Sequence, residues 1–314
     1  MDADGLLLLD KSPGGTSHDA VQMARRLFQQ KRIGHCGTLD PDATGLLLLT
    51  LGQATRLTRF LIHAPKVYEG TIRFGIATDT YDAAGRVTAE APIADLTRAR
   101  IEDALPRFVG TFEQQLPAYS ARKVQGVKFY ELARRGEEVP EVSKEVTVYE
   151  LACTGDLVDG RLAFRLSCSS GTYARAIAHD LGAALGCGAH LESLRRVSIG
   201  PFAVADALGI EEMARRRAAG ESLGRAWIAL GAIPLPFGET VVDTAQERRA
   251  QNGQTVLAKG VEAVEGDWVK MANRRGDLVA VGTVAERVGN GALSVLQPRI
   301  VFKAGPDVIG FSSI

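Results

Sequence analysis

The sequence is short of several things at once. It holds four cysteines in 314 residues, Cys36, Cys153, Cys168 and Cys187, widely spaced and without a C-x-x-C pair. That excludes a disulfide-stapled scaffold and predicts free thiols, because a chain this long buries enough apolar surface to need no covalent ties. A zinc reading of Cys187 with His190 lacks a second ligand pair at workable spacing. No apolar run approaches the roughly 20 residues that cross a bilayer; the longest leucine runs cover residues 6–9 and 46–49. The acidic start Met1-Asp2-Ala3-Asp4 lacks the basic flank of a signal peptide, so a cytoplasmic protein with no membrane partner is expected. Charge of one sign is missing too. Thirty-seven basic residues balance 37 acidic ones, so no global field announces a polyanionic partner.

What is present is an ordinary globular composition, 46% apolar and 24% charged, which excludes disorder, collagen and coiled coil. The length favours two domains at roughly 150 residues each. Basic residues recur in clusters: Arg25, Arg26, Lys31 and Arg32; Arg56 and Arg59; Arg122, Lys123 and Lys128; Arg134 and Arg135; Arg195 and Arg196; and residues 215–217. The plain account of such runs is a solvated helix face. One stripe of them can nonetheless hold a polyanion while acids elsewhere cancel the total.

Thr16-Ser17 precedes Ala20, Val21, Ala24, Leu27 and Phe28 at helical spacing, predicting a hydroxyl-capped helix that ends near Gln30 and follows a strand over 6–9. Residues 66–74 alternate, with Tyr68, Ile72 and Phe74 on one side and Val67, Glu69, Thr71 and Arg73 on the other, the pattern of a half-buried strand. Residues 79–85 then read as a turn. Strands are expected over 146–153 and 161–168, joined as a hairpin. Ser169-Ser170-Gly171-Thr172 opens a helix whose Tyr173, Ile177, Leu181 and Leu185 repeat every fourth residue on a core face, with Gly186 as its stop. Two prolines and flanking glycines at 231–238 mark a boundary. Short apolar runs at 267–271, 278–284 and 292–296 after it predict a small β-barrel. The expected architecture is α+β: a mixed, mainly antiparallel sheet domain over 1–232 and a small C-terminal barrel over 239–314.

The densest stretch is Gly34-His35-Cys36-Gly37-Thr38-Leu39-Asp40-Pro41-Asp42-Ala43-Thr44-Gly45, three glycines and a proline around two carboxylates and a histidine. It must be a tightly bent loop. In the plain reading Asp40 caps a backbone amide before Pro41. In the functional reading a stiff bend between a helix and the leucine-rich strand is a platform for a reactive side chain. Asp40-Pro-Asp42-Ala-Thr44 also fits the D-x-D-x-T pattern of haloacid-dehalogenase-like phosphatases. That pattern wants an apolar strand leading into the first Asp, whereas His35-Cys36-Gly37-Thr38 precedes it, and no later acidic pair follows an apolar strand to hold magnesium.

The same stretch, carried on to Leu46, resembles the G-H-T-G-T-L-D-P-x-A-T-G-L signature of the TruB family of bacterial tRNA pseudouridine synthases. Lys66-Val-Tyr68-Glu, Thr78-Asp79-Thr80-Tyr-Asp82-Ala-Ala-Gly85, Tyr119-Ser-Ala-Arg-Lys123-Val-Gln-Gly126, Tyr130-Glu-Leu-Ala-Arg134-Arg-Gly136 and Cys168-Ser-Ser-Gly-Thr-Tyr173-Ala-Arg175 resemble further family blocks in the family's order, covering roughly residues 6–200. The C-terminal β region is similar, by length and pattern, to the family's appended RNA-binding module of PUA type. There are departures. Asp10-Lys-Ser-Pro-Gly14-Gly-Thr16-Ser17 displaces the family's proline by one, Leu116-Pro117 stands where paired prolines are usual, Cys36 replaces a common threonine, and Ala174 a common isoleucine.

The resemblance implies isomerisation of uridine 55 in the T loop of tRNA, with no cofactor and no metal. The bond from C1′ to N1 breaks, the uracil turns in its pocket, and C5 bonds to C1′. Asp40 would supply the one ionised carboxylate beside the ribose; attack on C1′, attack on C6 and removal of a ribose proton all stay open. Water exclusion raises such a carboxyl's pKa and a neighbouring guanidinium opposes the rise; Arg175 is the candidate, its plain reading being a surface arginine. Tyr68 would stack on the uracil and help move the C5 proton, with Tyr173 and Leu194 bordering the pocket. Without the resemblance, both tyrosines are core residues. Flipping the base out of the T loop costs a few kcal/mol, and His35, otherwise a loop histidine, would fill the gap. Lys123 and Arg134, with Arg122, Lys128 and Arg135, would contact phosphates from an RNA-gripping insertion at about 115–142. The partner is then tRNA, through the T arm and through the acceptor stem at the C-terminal domain, and a monomer is expected. A different class of function uses the same groove without chemistry: a tRNA-binding or tRNA-folding chaperone.

Overall fold

A computed structural model describes residues 3–117, 123–124, 127–128, 142–289 and 292–303. Its main feature is one large sheet. Along the hydrogen-bonded path the strands run Trp227–Ala229, Gly5–Lys11, Thr44–Leu51, Ala189–Ile199, Lys66–Phe74, Arg161–Cys168, Ser143–Cys153 and Gly110–Gln115. Ile33–His35 pairs beside Thr44–Leu51, and Phe202–Ala203 beside Ala189–Ile199. Pairing within this sheet is antiparallel except at its middle, where Arg195 and Arg196 run parallel to Thr44 and Gly45. The expected α+β, mainly antiparallel architecture is the one observed.

Local rules account for the elements. The Ser17–Phe28 helix starts at the N-cap Thr16 with a capping box closed by Asp19, and the left-handed Gln29 ends it. Lys66–Phe74 buries Lys66, Tyr68, Ile72 and Phe74, the period-two pattern of a strand with one covered face. That face packs on the Ala174–Leu185 helix through Ile177, Ala178, Leu181 and Leu185, each large aliphatic contributing about 1.5–3 kcal/mol by leaving water.

After residues 231–238 a five-stranded sheet follows in the order Glu239–Val242, Trp268–Asn273, Leu278–Val288, Leu293–Val301, Val256–Lys259. The apolar runs expected as strands are strands. Two further strands and the Thr244–Gln251 helix, capped by Asp243 and Gln246, were not expected. Those segments are short and mostly exposed, so they carry little hydrophobic period to read. The two sheets share a core: Leu6, Leu8, Leu46 and Leu48 cluster with Leu278, Val281, Ile300 and Phe302. Phe60 meets Phe237 and Trp268 edge-on at centroid distances of 5.1 and 4.9 Å. No helix among the described residues is long and apolar enough to cross a membrane.

Candidate active site

The bend carrying Asp40 follows the short Ile33–His35 strand and enters the Thr44–Leu51 strand at the parallel junction. Buried cations fix it. Lys11, on the neighbouring strand, gives its ammonium to the carbonyls of Ser12, Pro41 and Ala43 at 3.0, 2.8 and 2.8 Å. Arg196 is fully buried and donates to the carbonyls of Leu46, Gly37 and Thr38 at 2.7, 3.0 and 3.4 Å. A third clamp is Ser17, whose hydroxyl accepts the Leu39 N–H at 2.8 Å and donates to its carbonyl at 3.2 Å. Gly45 stands at φ +96°, and a Cβ there would strike the Arg196 backbone, so this position needs glycine for both shape and space. Each clamp neutralises a carbonyl that the bend would otherwise leave unpaired.

Asp40 leans toward Arg175, Oδ1 to Nη2 at 3.7 Å, with 43% of its side chain exposed and 7% of the arginine's. Its backbone carbonyl accepts the Ala43 amide. Arg175 holds a second carboxylate more closely, that of Asp82 at 2.9 Å. Asp82 is 21% exposed and is fixed in turn by the Thr80 hydroxyl at 2.5 Å and the Ala84 amide at 3.2 Å. Burial raises the Asp40 pKa above the ordinary carboxylate value. Arg175 and Lys11 pull it back, and Asp82 and Asp42 push it further up. Tyr68 lies buried opposite Arg196 across the strands, and burial pushes its phenol upward, so it stays protonated at neutral pH.

The structure brings some of the residues singled out from sequence together and sets others apart. Asp40 and Arg175 meet, and Arg175 is buried, not a surface arginine. Tyr68 and Leu194 line the same core cluster as Leu39 and Ala43, which flank Asp40 in the bend. Tyr173 departs from expectation: it is the N-cap of its helix, half-buried, with the Arg175 guanidinium 5.8 Å from its ring centre, and the core face starts at Ala174. The turn at Gly171, with φ +89°, delays the helix by those residues. His35 ends a strand, paired with Leu49, instead of lying in the bend. It is half-buried with Nδ1 shielded and unbonded, and burial lowers its pKa, which keeps it neutral. Lys123 lies in the two-residue strand Lys123–Val124 opposite Val127–Lys128; Arg134 falls outside the described residues. Cys187 and His190 gather no further ligands, and no group of three or more metal-binding side chains exists among the described residues.

Three residues were missed. Asp82 stood inside a quoted block with no role assigned. Lys11 sits inside another such block, also without a role, and Arg196 belongs to a basic cluster. Strand alternation carries the signal for the last: Arg195 and Arg196 are adjacent in a strand, so one must point inward. Arg195 takes the outer side, bound to Asp10 by two bonds of 2.9 and 2.7 Å.

Comparison with known proteins finds relatives over most of the chain. Residues 25–174 match the TruB family pseudouridylate synthase N-terminal domain, and residues 175–228 the tRNA pseudouridylate synthase B C-terminal domain. The chain is 44% identical over 283 residues to the tRNA pseudouridine synthase B of Solibacter usitatus, covering 90% of this chain and 96% of that protein. It is 39% identical over 291 residues to that of Nitrosococcus oceani, covering 91% and 92%. The fold is similar to a chain of an H/ACA RNP bound to a substrate RNA containing 2′-deoxyuridine, with TM-score 0.73, 22% identity, and 95% of this chain and 85% of that one covered. A chain of a Cbf5-Nop10-Gar1 complex is similar at TM-score 0.71 and 23% identity, with the same coverage.

Proposed function

The chain belongs to the TruB family of pseudouridylate synthases, isomerases that modify tRNA, and we propose that it converts uridine 55 of the T loop to pseudouridine with Asp40 as the reacting carboxylate. The observation that carries this reading is the buried Arg175 between two carboxylates, one tied at 2.9 Å and one, Asp40, left at 3.7 Å with open access. A carboxylate fully committed to its counter-ion is a poor nucleophile or base, and one with no counter-ion in a dry pocket takes up a proton. Asp40 avoids both.

The base leaves the T-loop stack and His35, neutral and set beside the bend, fills the space. Uracil lies on Tyr68, with Tyr173 and Leu194 at the pocket's border. The ionised Asp40 acts at the ribose or at C6, the C1′–N1 bond breaks, the uracil turns, and C5 bonds to C1′. C5 then gives up its proton and N1, freed from the sugar, takes one up, so protons balance; Tyr68, held in its phenol form, can only relay, releasing its own proton as it receives the one from C5. No electron is gained or lost, so the chain needs no cofactor. Lys123 and Arg134, in an insertion at about 115–142, contact phosphates. Residues 1–232 form the catalytic domain and 239–314 a PUA-like domain that reaches the acceptor stem; the chain works as a cytoplasmic monomer.

The test is T-arm RNA incubated with the protein and read by carbodiimide labelling, which marks pseudouridine although mass does not change. Labelling at uridine 55 is expected. Tight binding without labelling would favour the chaperone. Asp40→Asn is expected to bind RNA as before and to lose turnover by about 10⁴-fold or more, the scale of removing an essential charged group.

A further inference from the structure

Arg175 can face Asp40 only if its helix begins in the right place, and that beginning is held from outside. Ser169, Ser170 and Thr172 precede it, yet their hydroxyls are engaged elsewhere. Ser169 accepts the Thr147 amide at 2.9 Å, Ser170 donates to the Ile62 carbonyl at 2.8 Å, and Thr172 donates to the Ser169 carbonyl at 3.0 Å. The N-cap, Tyr173, caps nothing with its own side chain. Instead Gln114 reaches across from the Gly110–Gln115 strand. It is buried although Glu113 and Gln115 on either side are more exposed. Its carboxamide oxygen accepts the Tyr173 N–H at 2.8 Å and its nitrogen donates to the Tyr173 carbonyl at 3.1 Å.

That carbonyl is also the first acceptor of the helix ladder, taking the amides of Ala176 and Ile177 at 3.1 and 3.3 Å. Directly opposite Gln114 in the strand pairing stands Lys144. Its ammonium donates to the Ser170 carbonyl at 3.0 Å and lies against Gly171, where any Cβ would collide with it. Two facing side chains therefore grip residues 170–173, two positions ahead of Arg175. A side-chain amide suits this role because it offers a donor and an acceptor in one rigid plane and so fixes both position and tilt of a peptide.

We propose that Gln114 is a positioning residue of the reaction, supported by Lys144, which sets how far Arg175 reaches toward Asp40. The proposal rests on the reading of Asp40 as the reacting carboxylate. At 3.7 Å the guanidinium–carboxylate contact is sensitive to small shifts, and displacements near ~1 Å in a catalytic array cost on the order of a hundredfold in rate.

Gln114→Met keeps length and bulk and removes both bonds. It is expected to lower single-turnover rate about tenfold to a hundredfold with RNA affinity within about twofold of the unaltered protein, since no RNA contact is assigned to this residue. A merely structural role would lower the folded fraction and scale all rates alike. Positioning predicts more: the acid limb of the pH–rate profile moves to higher pH. The groups facing Asp40 are Arg175, Lys11, Asp82 and Asp42, and retreat of Arg175 weakens a contribution that favours the ionised form. Gln114→Glu retains the acceptor and, once protonated, the donor, so it is expected to recover part of the lost rate. If Gln114→Met leaves rate and acid limb unchanged, or lowers the rate with the limb fixed, the proposal is overturned. Should that variant not fold, Lys144→Met is read by the same two measurements, and an unmoved acid limb overturns the proposal there too. Failure of the unaltered protein to make pseudouridine would sink the assigned function instead, a distinct result.

Discussion

Two bends deliver a carboxylate to Arg175, and they treat that carboxylate on different plans. The Asp40 bend is pinned through its backbone: Lys11, Ser17 and Arg196 seize its peptide groups, while its carboxylate makes a loose 3.7 Å approach to the arginine. The Asp82 turn is held through its backbone as well, its carbonyl taking the Thr78 hydroxyl at 2.8 Å and Ala83 bonding to Leu191, but its carboxylate is committed too, accepting from Thr80, Ala84 and Arg175 at once. The first plan yields a rigid support with an available functional group. The second yields a group spent on holding. A reacting carboxylate needs the first, and a counter-ion for the arginine needs the second, and the difference supports the roles proposed for the two.

The largest expected effect comes from dismantling the backbone clamp. Arg196→Met removes the donors of three carbonyls, at about 1–3 kcal/mol for each group left buried and unpaired, and is expected to cost about 3–5 kcal/mol of stability in denaturant unfolding. A loss under about 1 kcal/mol would mean that the bend holds itself without the arginine, and that its rigid support for Asp40 lies elsewhere.

Asp82→Asn sharpens the comparison next. The amide oxygen can still accept from Thr80 and Ala84, which share one carboxylate oxygen, so the turn should persist, while the oxygen that faced Arg175 becomes an N–H donor and the charge that ties the arginine down is gone. Turnover is expected to fall about tenfold to a hundredfold through lost alignment. The acid limb of the pH–rate profile should move to lower pH. Asp82 itself raises the Asp40 pKa and competes for Arg175, and removing it acts in one direction on both counts. Gln114→Met shifts the same limb the other way. Equal shifts for both variants would show that the arginine is not the shared element.

How much of this was legible depends on distance along the chain. The Asp40 bend could be read because its glycines, proline and carboxylates are neighbours in sequence. The strand over Lys66–Phe74 could be read because alternation is local. Asp82 and Arg175 are 93 positions apart, and nothing near Asp82 states which cation it meets. Lys11 and Arg196 were opaque for another reason: a buried cation bonded to carbonyls leaves no acidic partner in the sequence to point at it. Gln114 was invisible because a neutral amide among polar neighbours has no pattern, and the hydroxyls before Arg175 offered a more obvious cap that the fold does not use.

The smallest effect is also the most discriminating. A folded-state pKa raised above the unfolded value means that the folded protein binds the Asp40 proton more tightly than the unfolded chain does. Stability contributed by this group is then greatest at low pH and falls as pH rises from the unfolded pKa through the folded one. Above the folded pKa the ionised Asp40 is then a destabilising group, a cost that fits the role proposed for it. Asp40→Asn should therefore melt slightly above the unaltered protein at neutral pH, and the two should converge at about pH 4 as the wild-type carboxyl takes up its proton. A variant that melts lower at neutral pH would make Asp40 a structural partner of Arg175 like Asp82, and the division of labour between the two bends would be lost.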